Sequence, residues 1–302
     1  MEQKILVGTG GGLWEVAGEG SRAVEALAGH AITALAVDGA DTWAIVDDSG
    51  LWHGRAATWS RRATIDGPPA TCVAPAPGGV WIGTEQAHLL RSGDAGLAVV
   101  ESFERVEGRA AWYQPWGDPP DTRSMSVAPD GTLYVNVHVG GVARSRDGAK
   151  TWTPILDIET DVHQVLAHPV RPEIVLVAAA AGFGVSGDGG QSWQFLTAGL
   201  HAHYLRAVAV AGDDVVISAS AGFHGRRAAL YRKPVDGGRF ERCREGLPTW
   251  FDDNVDTACL AAAGALVVCG TQDGRVYRSL DGGRRWELAL KGLPPVACVA
   301  LA

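Results

Sequence analysis

The sequence predicts an all-β fold: a seven-bladed β-propeller of four-stranded antiparallel blades, its ring closed by the C-terminal strand joining the N-terminal blade. Three observations carry this expectation. Short apolar runs alternate with glycine-rich turns along the chain, which holds 40 glycines and 11 tryptophans in 302 residues; such spacing indicates many short strands joined by tight turns. An octapeptide recurs at Ser145–Trp152 (SRDGAKTW), Ser186–Trp193 (SGDGGQSW) and Ser279–Trp286 (SLDGGRRW), with a shortened copy, SGDAG, at Ser92–Gly96. Around these copies lies a longer unit of four apolar runs whose starts recur every 38 to 53 residues, the period of a propeller blade.

The octapeptide has a physical reading of its own. Its aspartate can accept backbone N–H bonds within a turn, and the glycines after it can take φ > 0. The tryptophan can then pack its ring between neighbouring sheets. A carboxylate so occupied has little lone-pair capacity left for chemistry, so Asp147, Asp188 and Asp281 are expected to be structural. The consensus S-x-D-G-G-x-x-W resembles the Asp box, or BNR repeat, of sialidase-like β-propellers. That resemblance implies an architecture, since the motif recurs in proteins of unrelated activity. Sialidases with Asp boxes are six-bladed and carry an arginine triad that begins in an R-I-P type motif; no such motif occurs here, so the chain is not expected to be a true sialidase. The closer resemblance is to seven-bladed Asp-box propellers typified by photosystem II assembly factors, and to BNR-repeat glycosyl hydrolases.

The blades are expected in order. Blade one takes KILVGTGGGLWEV as its second and third strands and PVACVALA as its innermost one, over 4–28 and 296–302. Blades two to seven occupy 31–65, 71–105, 123–156, 162–197, 204–245 and 256–291. Residues 257–290 show all four runs, and 163–196 and 124–155 follow the same plan. The units that start near Ile32, Cys72 and Leu205 are weaker. Closure of the ring removes sheet edges that would otherwise be exposed. No linker divides the chain, so 1–302 is expected to be one domain.

Composition limits the partners. The net charge is −8 with no basic run, which argues against a nucleic-acid phosphate backbone. The N-terminal stretch lacks the charged and apolar regions of a signal peptide. The longest apolar run, 258–269, is shorter than the roughly 20 residues needed to span a bilayer, so no membrane partner is expected. The cysteines Cys72, Cys243, Cys259, Cys269 and Cys298 are odd in number and show no CxxC or Cys/His zinc spacing. Free thiols in a reducing cytoplasm follow as the expectation.

In a propeller the third-to-fourth-strand turns, here holding the Asp boxes, lie on one face. The connections between blades and the second-to-third-strand turns lie on the other, where function is expected. Four connections there are long and chemically rich: 106–124 with Trp112, Trp116, Asp121 and Arg123; 157–165 with Asp161 and His163; 199–208 with His203, Tyr204 and Arg206; and 246–257 with Trp250, Phe251 and Asp256. Two turns add His138 and His224. Blades four to seven are therefore expected to build one polar, aromatic-rimmed side of a funnel.

Two functions compete for that funnel. In the first it binds a small sugar-like or anionic molecule, or a protein. Trp112, Trp116, Trp250 and Phe251 would stack on the ligand, with Arg123, His138, His203 and His224 as further contacts. In the second the chain is a hydrolase or lyase. Glycosidic chemistry would draw its two carboxylates from Asp121, Asp161 and Asp256, with His163, Tyr204 and Arg206 beside them. A metal-assisted version would hold a divalent ion on two or three of His138, His163, His203 and His224, with Asp161. Arg123 and Arg206, at equivalent inner-strand starts two blades apart, would clamp an anion.

Overall fold

Four consecutive apolar runs joined by tight turns fold back on themselves as an antiparallel meander, and seven such meanders make up this chain. The computed structural model describes residues 3–18, 20–93 and 96–302, and within them lie seven four-stranded antiparallel sheets arranged in a ring. Each sheet keeps its strands in sequence order, except that the first sheet takes its innermost strand from the C-terminal end. That strand, Val296–Leu301, pairs with Ile5–Thr9 through Val7↔Val299 and Leu6↔Ala300. Lys4 and Ala302 extend the ladder with reciprocal backbone bonds of 2.8 and 2.9 Å.

Burial falls off from the axis outward, which explains the composition of each run. The second strands Leu133–Val137, Val175–Ala179 and Asp214–Ser220 are buried along their whole length, because both faces pack on neighbouring blades. They are accordingly rich in valine, with none of the alternation of a half-buried strand. The outer strand Gly20–Ala23 is exposed throughout and is polar or small. The apolar core lies between blades: Val7 of blade one, Val216 and Leu230 of blade six and Val268 and Tyr277 of blade seven share one cluster. Leu176 and Phe183 of blade five pack with Ile217 and Tyr231 of blade six in another.

The three octapeptides adopt one geometry. In the second, Ser186 Oγ donates to Asp188 Oδ1 at 2.8 Å and accepts from Gly190 N at 2.8 Å. Asp188 Oδ1 accepts from the backbone of Gln191 and Ser192 at 2.8 and 2.9 Å, and Oδ2 from Ser192 Oγ at 2.6 Å. Asp147 and Asp281 repeat the pattern with Lys150 and Thr151, and with Arg284 and Arg285. The tryptophans couple blades: Trp152 Nε1 donates to Ser102 Oγ at 3.1 Å and Trp193 Nε1 to the Ile155 carbonyl at 2.9 Å, each on the preceding blade. Trp286 instead donates to Gly283 within its own turn at 2.9 Å, while its backbone N–H bonds Glu245 of blade six. Gly190, at φ 89°, sits where an added Cβ would meet Ile155 Cδ1 at 2.4 Å. The aspartate of the shortened copy, Asp94, lies outside the described residues.

Blade six has no Asp box, and a cation does comparable work there. Lys233 is 2% exposed, and its Nζ donates to the carbonyls of Pro234, Val235 and Gly237 at 2.6, 3.2 and 3.0 Å. Phe183 and Phe240 flank the ammonium group at 5.7 and 5.8 Å. All five cysteines are free thiols, four of them buried. Among the described residues no helix is long and apolar enough to cross a membrane.

Six of the seven inner strands share an irregularity that matters for the site. Register shifts at their first residues leave Thr33, Thr71, Arg123 and His163 unopposed in blades two to five. The same happens to Arg206 and Ala207 in blade six and to Ala297 in blade one. Such bulges turn side chains out of the ladder, here around one mouth of the ring.

The box geometry sets two expectations. Ser186→Ala removes a buried hydroxyl that satisfies a backbone N–H, and should lower the unfolding free energy by about 1–3 kcal/mol in urea titrations; an unchanged midpoint would contradict the structural role of the box. The hydroxyl and backbone donors of Thr151 and Ser192 hold the carboxyls of Asp147 and Asp188 well below the usual range, and the Arg285 backbone holds Asp281 at about 2. The stability these groups contribute is complete above the unfolded carboxyl value near about 4 and is lost as pH falls through the lower folded values. The melting temperature should therefore be insensitive to these groups near neutrality and drop below about pH 4. Asp188→Asn should flatten part of that drop.

Candidate functional site

The bulged inner-strand starts and the connections that precede them enclose a cavity of about 1020 Å³ at the mouth opposite the Asp boxes. Its two sides differ. Blades one to three contribute small or apolar groups, Thr33, Leu35, Thr71, Val73, Ala297 and Val299. Blades four to six and their connections contribute Gln114, Trp116, Asp121, Arg123, His138, Asp161, Tyr204 and Arg206. The asymmetry follows partly from connection length, which brings in Gln114, Trp116 and Asp161, and partly from the bulges that turn Arg123 and Arg206 inward.

On one flank two arginines converge on one carboxylate. Arg206 Nη1 donates to both oxygens of Asp256 at 3.0 Å, and Nη2 donates to Tyr204 Oη at 3.2 Å. The Thr257 backbone also donates to Asp256 Oδ1, at 2.9 Å. Arg123 Nη2 stands 3.8 Å from Asp256 Oδ1 and makes no hydrogen bond among the described residues. Burial opposes ionisation of Asp256, but Arg206 and Arg123 outweigh it and hold the carboxyl below its ordinary value. Burial likewise works against the Arg206 charge, and Asp256 and Tyr204 more than restore it.

On the other flank two imidazoles meet one carboxylate. Asp161, held at φ 48° as it leaves a 3-10 turn at Ile158–Thr160, places Oδ1 3.4 Å from His138 Nε2 and 3.6 Å from His163 Nε2. Ligand-type atoms of the three residues all lie within 4.8 Å of one another. His163 is fully buried, and its Nδ1 is 2.5 Å from the Leu205 carbonyl. A carbonyl only accepts, so Nδ1 carries the hydrogen and Nε2 faces Asp161. His138 Nδ1 is 3.5 Å from Asp121 Oδ1, which also accepts from Gln114 Nε2 at 2.8 Å. Asp161 Oδ1 and His163 Nε2 are both buried without a hydrogen-bond partner. Burial pushes the His163 pKa down; in His138 burial acts the same way, but Asp121 and Asp161 outweigh it and the pKa rises. Burial also disfavours the Asp161 anion, yet the neighbouring imidazoles, His138 first, outweigh it and hold the carboxyl well below the carboxylate range; His163 contributes only when its ring is protonated.

The expected site residues thus divide into three groups. Asp121, Arg123, His138, Asp161, His163, Tyr204, Arg206 and Asp256 come together at the mouth. Of the four expected aromatics only Trp116 lines the cavity; it is 64% exposed, with Phe223 beside it at 5.1 Å between ring centroids. Trp112 and Phe251, expected as stacking surfaces, are core residues 8% and 7% exposed. Trp112 packs on Phe103 and under Arg109, and so anchors the loop that carries Gln114 and Trp116 to the cavity. Phe251 packs edge-on to Tyr277, because its backbone bridges to Ala228 and turns the ring inward. Trp250 lies away from the funnel, its ring beneath Arg242, whose Cζ is 3.7 Å from the ring centroid. His203 and His224 are exposed and stand outside the His/Asp cluster, the latter with its ring on Phe223. Sequence reasoning missed Gln114, Thr71 and Gln164, all in the cavity wall; for Thr71 the available signal was its place at the start of an inner strand.

Two of the three carboxylates considered for glycosidic chemistry, Asp161 and Asp256, are held ionised by their neighbours. A two-carboxylate mechanism needs one member protonated as general acid. The His138 ring also occupies the space between Asp121 and Asp161.

No protein-family profile and no curated protein matches this sequence. Solved structures share its fold. The GH74 xyloglucanase from Xanthomonas campestris aligns with a TM-score of 0.59 at 16% identity, over 95% of this chain and 46% of that one. YCF48 from Cyanidioschyzon merolae gives 0.56 at 12%, over 93% and 94%. A chain of a nidogen/laminin complex gives 0.56 at 8%, over 99% and 98%. This chain spans less than half the length of the xyloglucanase. The class defined is therefore a seven-bladed β-propeller, and at these identities the likeness is one of fold.

The two loop tryptophans should behave oppositely. Trp112→Ala should destabilise by about 3–5 kcal/mol, the cost of emptying a large core site. Trp116→Ala should change stability by no more than about 0.5 kcal/mol. Equal effects in denaturant titrations would contradict the anchor and lip roles.

Proposed function

We propose that the funnel binds a small organic anion, of the sugar-acid type, with Arg123 as the group that receives its carboxylate. The observation that carries this reading is the state of Arg123. It sits in the cavity wall, largely buried, its one ionic neighbour Asp256 is already engaged by Arg206, and its own donors are without hydrogen-bond partners among the described residues. A guanidinium presents planar paired donors that match a carboxylate. Trp116 and Phe223 form an aromatic lip suited to a sugar ring, and Gln114, Tyr204 and Thr257 offer further polar contacts. The xyloglucanase and the nidogen/laminin complex represent a polysaccharide and a protein as alternative occupants for this fold. The largely buried position of Arg123 favours a small ligand over either.

A binding role needs nothing of Asp161 and Asp256 beyond the ionised state their neighbours favour, whereas glycoside hydrolysis would also need Asp121 as the general acid. The five free thiols support a cytoplasmic setting.

Thermal shift followed by calorimetry with glucuronate, galacturonate, glucose and cellobiose tests the reading. A uronate should raise the melting temperature where the neutral sugars do not. Arg123→Gln should weaken uronate binding by about 1.5–3 kcal/mol, the worth of a hydrogen bond to a charged group. Equal response to glucose and glucuronate, or uronate binding unchanged in Arg123→Gln, would overturn it.

A further inference from the structure

We propose that His138, Asp161 and His163 form a binding site for a divalent first-row transition cation, zinc fitting best, with a coordination position open to the funnel. The argument begins with lone pairs. His163 commits its Nδ1 hydrogen to the Leu205 carbonyl, so Nε2 presents a lone pair. It presents it to Asp161 Oδ1, which is also an acceptor, and both atoms are buried with no partner. In the neutral ring, two acceptors turned toward each other away from water are unfavourable unless a proton or a metal cation lies between them, and the spacing and ligand types decide for the metal.

The spacing fits an ion. Two ligand atoms on a tetrahedral zinc at about 2.0–2.1 Å from the metal lie about 3.3 Å apart. Asp161 Oδ1 is 3.4 Å from His138 Nε2 and 3.6 Å from His163 Nε2, close to that spacing. Two imidazoles and one carboxylate suit a borderline-soft cation such as zinc and not calcium or magnesium, which take oxygen ligands.

The surrounding groups complete the pattern. Metal-binding histidines almost always give their second ring nitrogen to a carbonyl or carboxylate, which fixes the tautomer and orientation. His163 does so with the Leu205 carbonyl, and His138 has Asp121 Oδ1 at 3.5 Å from Nδ1. Asp121 is itself steadied by Gln114. His138 and Asp161 line the cavity, so a fourth ligand would come from that side. An ion here also changes the charge of the funnel, where Asp121, Asp161 and Asp256 face Arg123 and Arg206. A divalent cation reverses that small negative excess.

The competing arrangement is a protonated His138 bridging Asp121 and Asp161, which takes up no metal. To decide, the full chain is stripped with a chelator, dialysed and titrated with Zn²⁺ and separately with Co²⁺. Expected are one Zn²⁺ per chain by elemental analysis, a higher melting temperature on loading, and visible Co²⁺ absorption bands of four- or five-coordinate type. His138→Gln and Asp161→Asn should each weaken Zn²⁺ binding by at least the roughly 10–100-fold that loss of an outer-shell partner alone costs. His224→Ala, on an exposed ring outside the cluster, should bind as the parent does. Because His163 is fully buried and its removal risks unfolding, the two cavity-facing variants carry the test, with circular dichroism of the metal-free forms confirming their folds. Absence of stoichiometric uptake, or uptake unchanged in both His138→Gln and Asp161→Asn, overturns the site. Metal loading is measured without an organic ligand, so its failure leaves the Arg123 reading standing, and failure of uronate binding leaves the metal site standing.

Discussion

The pairing of Val296–Leu301 with Ile5–Thr9 is the constraint on which the rest of the molecule depends. A blade buries only part of its apolar surface within its own sheet, and the remainder must lie against the blades on either side. A row of such sheets with two free ends would leave one apolar face uncovered at each end, together with unpaired strand edges. Joining the two ends of the chain in one sheet covers both faces at once. The cluster shared by blades one, six and seven, with Val7, Val216 and Val268 as members, exists only because that seam is closed.

Closure also creates the cavity. Seven inner strands in a ring leave an axial space, and bulges near the starts of six of them help decide what projects into it. Thr33, Thr71, Arg123 and Arg206 occupy comparable bulge positions, yet they are chemically unlike. A repeated backbone device therefore presents a non-repeated set of side chains. The ring is structurally near-symmetric and chemically one-sided: the charged groups sit on blades four to seven, and the small groups of blades one to three leave room opposite them.

Much of this was legible in the sequence, for a physical reason. The Asp box is a local structure: Ser186, Asp188 and the N–H groups they bind lie within seven residues, so spacing alone reveals the turn. The strand count and the split first blade follow from periodicity, which is also local. Lys233 shows the limit. It stabilises the corresponding region of blade six with three carbonyl contacts, but a buried lysine without an acidic partner has no sequence signature. The fates of the aromatics were illegible for a related reason. Trp112 and Trp116 stand four residues apart in one loop; the first is a core anchor and the second a solvent-facing lip, and only packing against Phe103 distinguishes them.

Residue pattern alone carries the all-β class, the seven four-stranded blades and the closure by the C-terminal strand. Each of these follows from periodicity, turn chemistry and the alternation of connections between faces, which act over tens of residues at most. Packing between blades is what brings Asp161 to His138 and His163 and leaves His203 and His224 apart. It likewise decided that Arg206 engages Asp256 and leaves Arg123 without a hydrogen bond. Those outcomes depend on contacts between blades and on how far a bulge turns each side chain, and the distance along the chain carries no record of either.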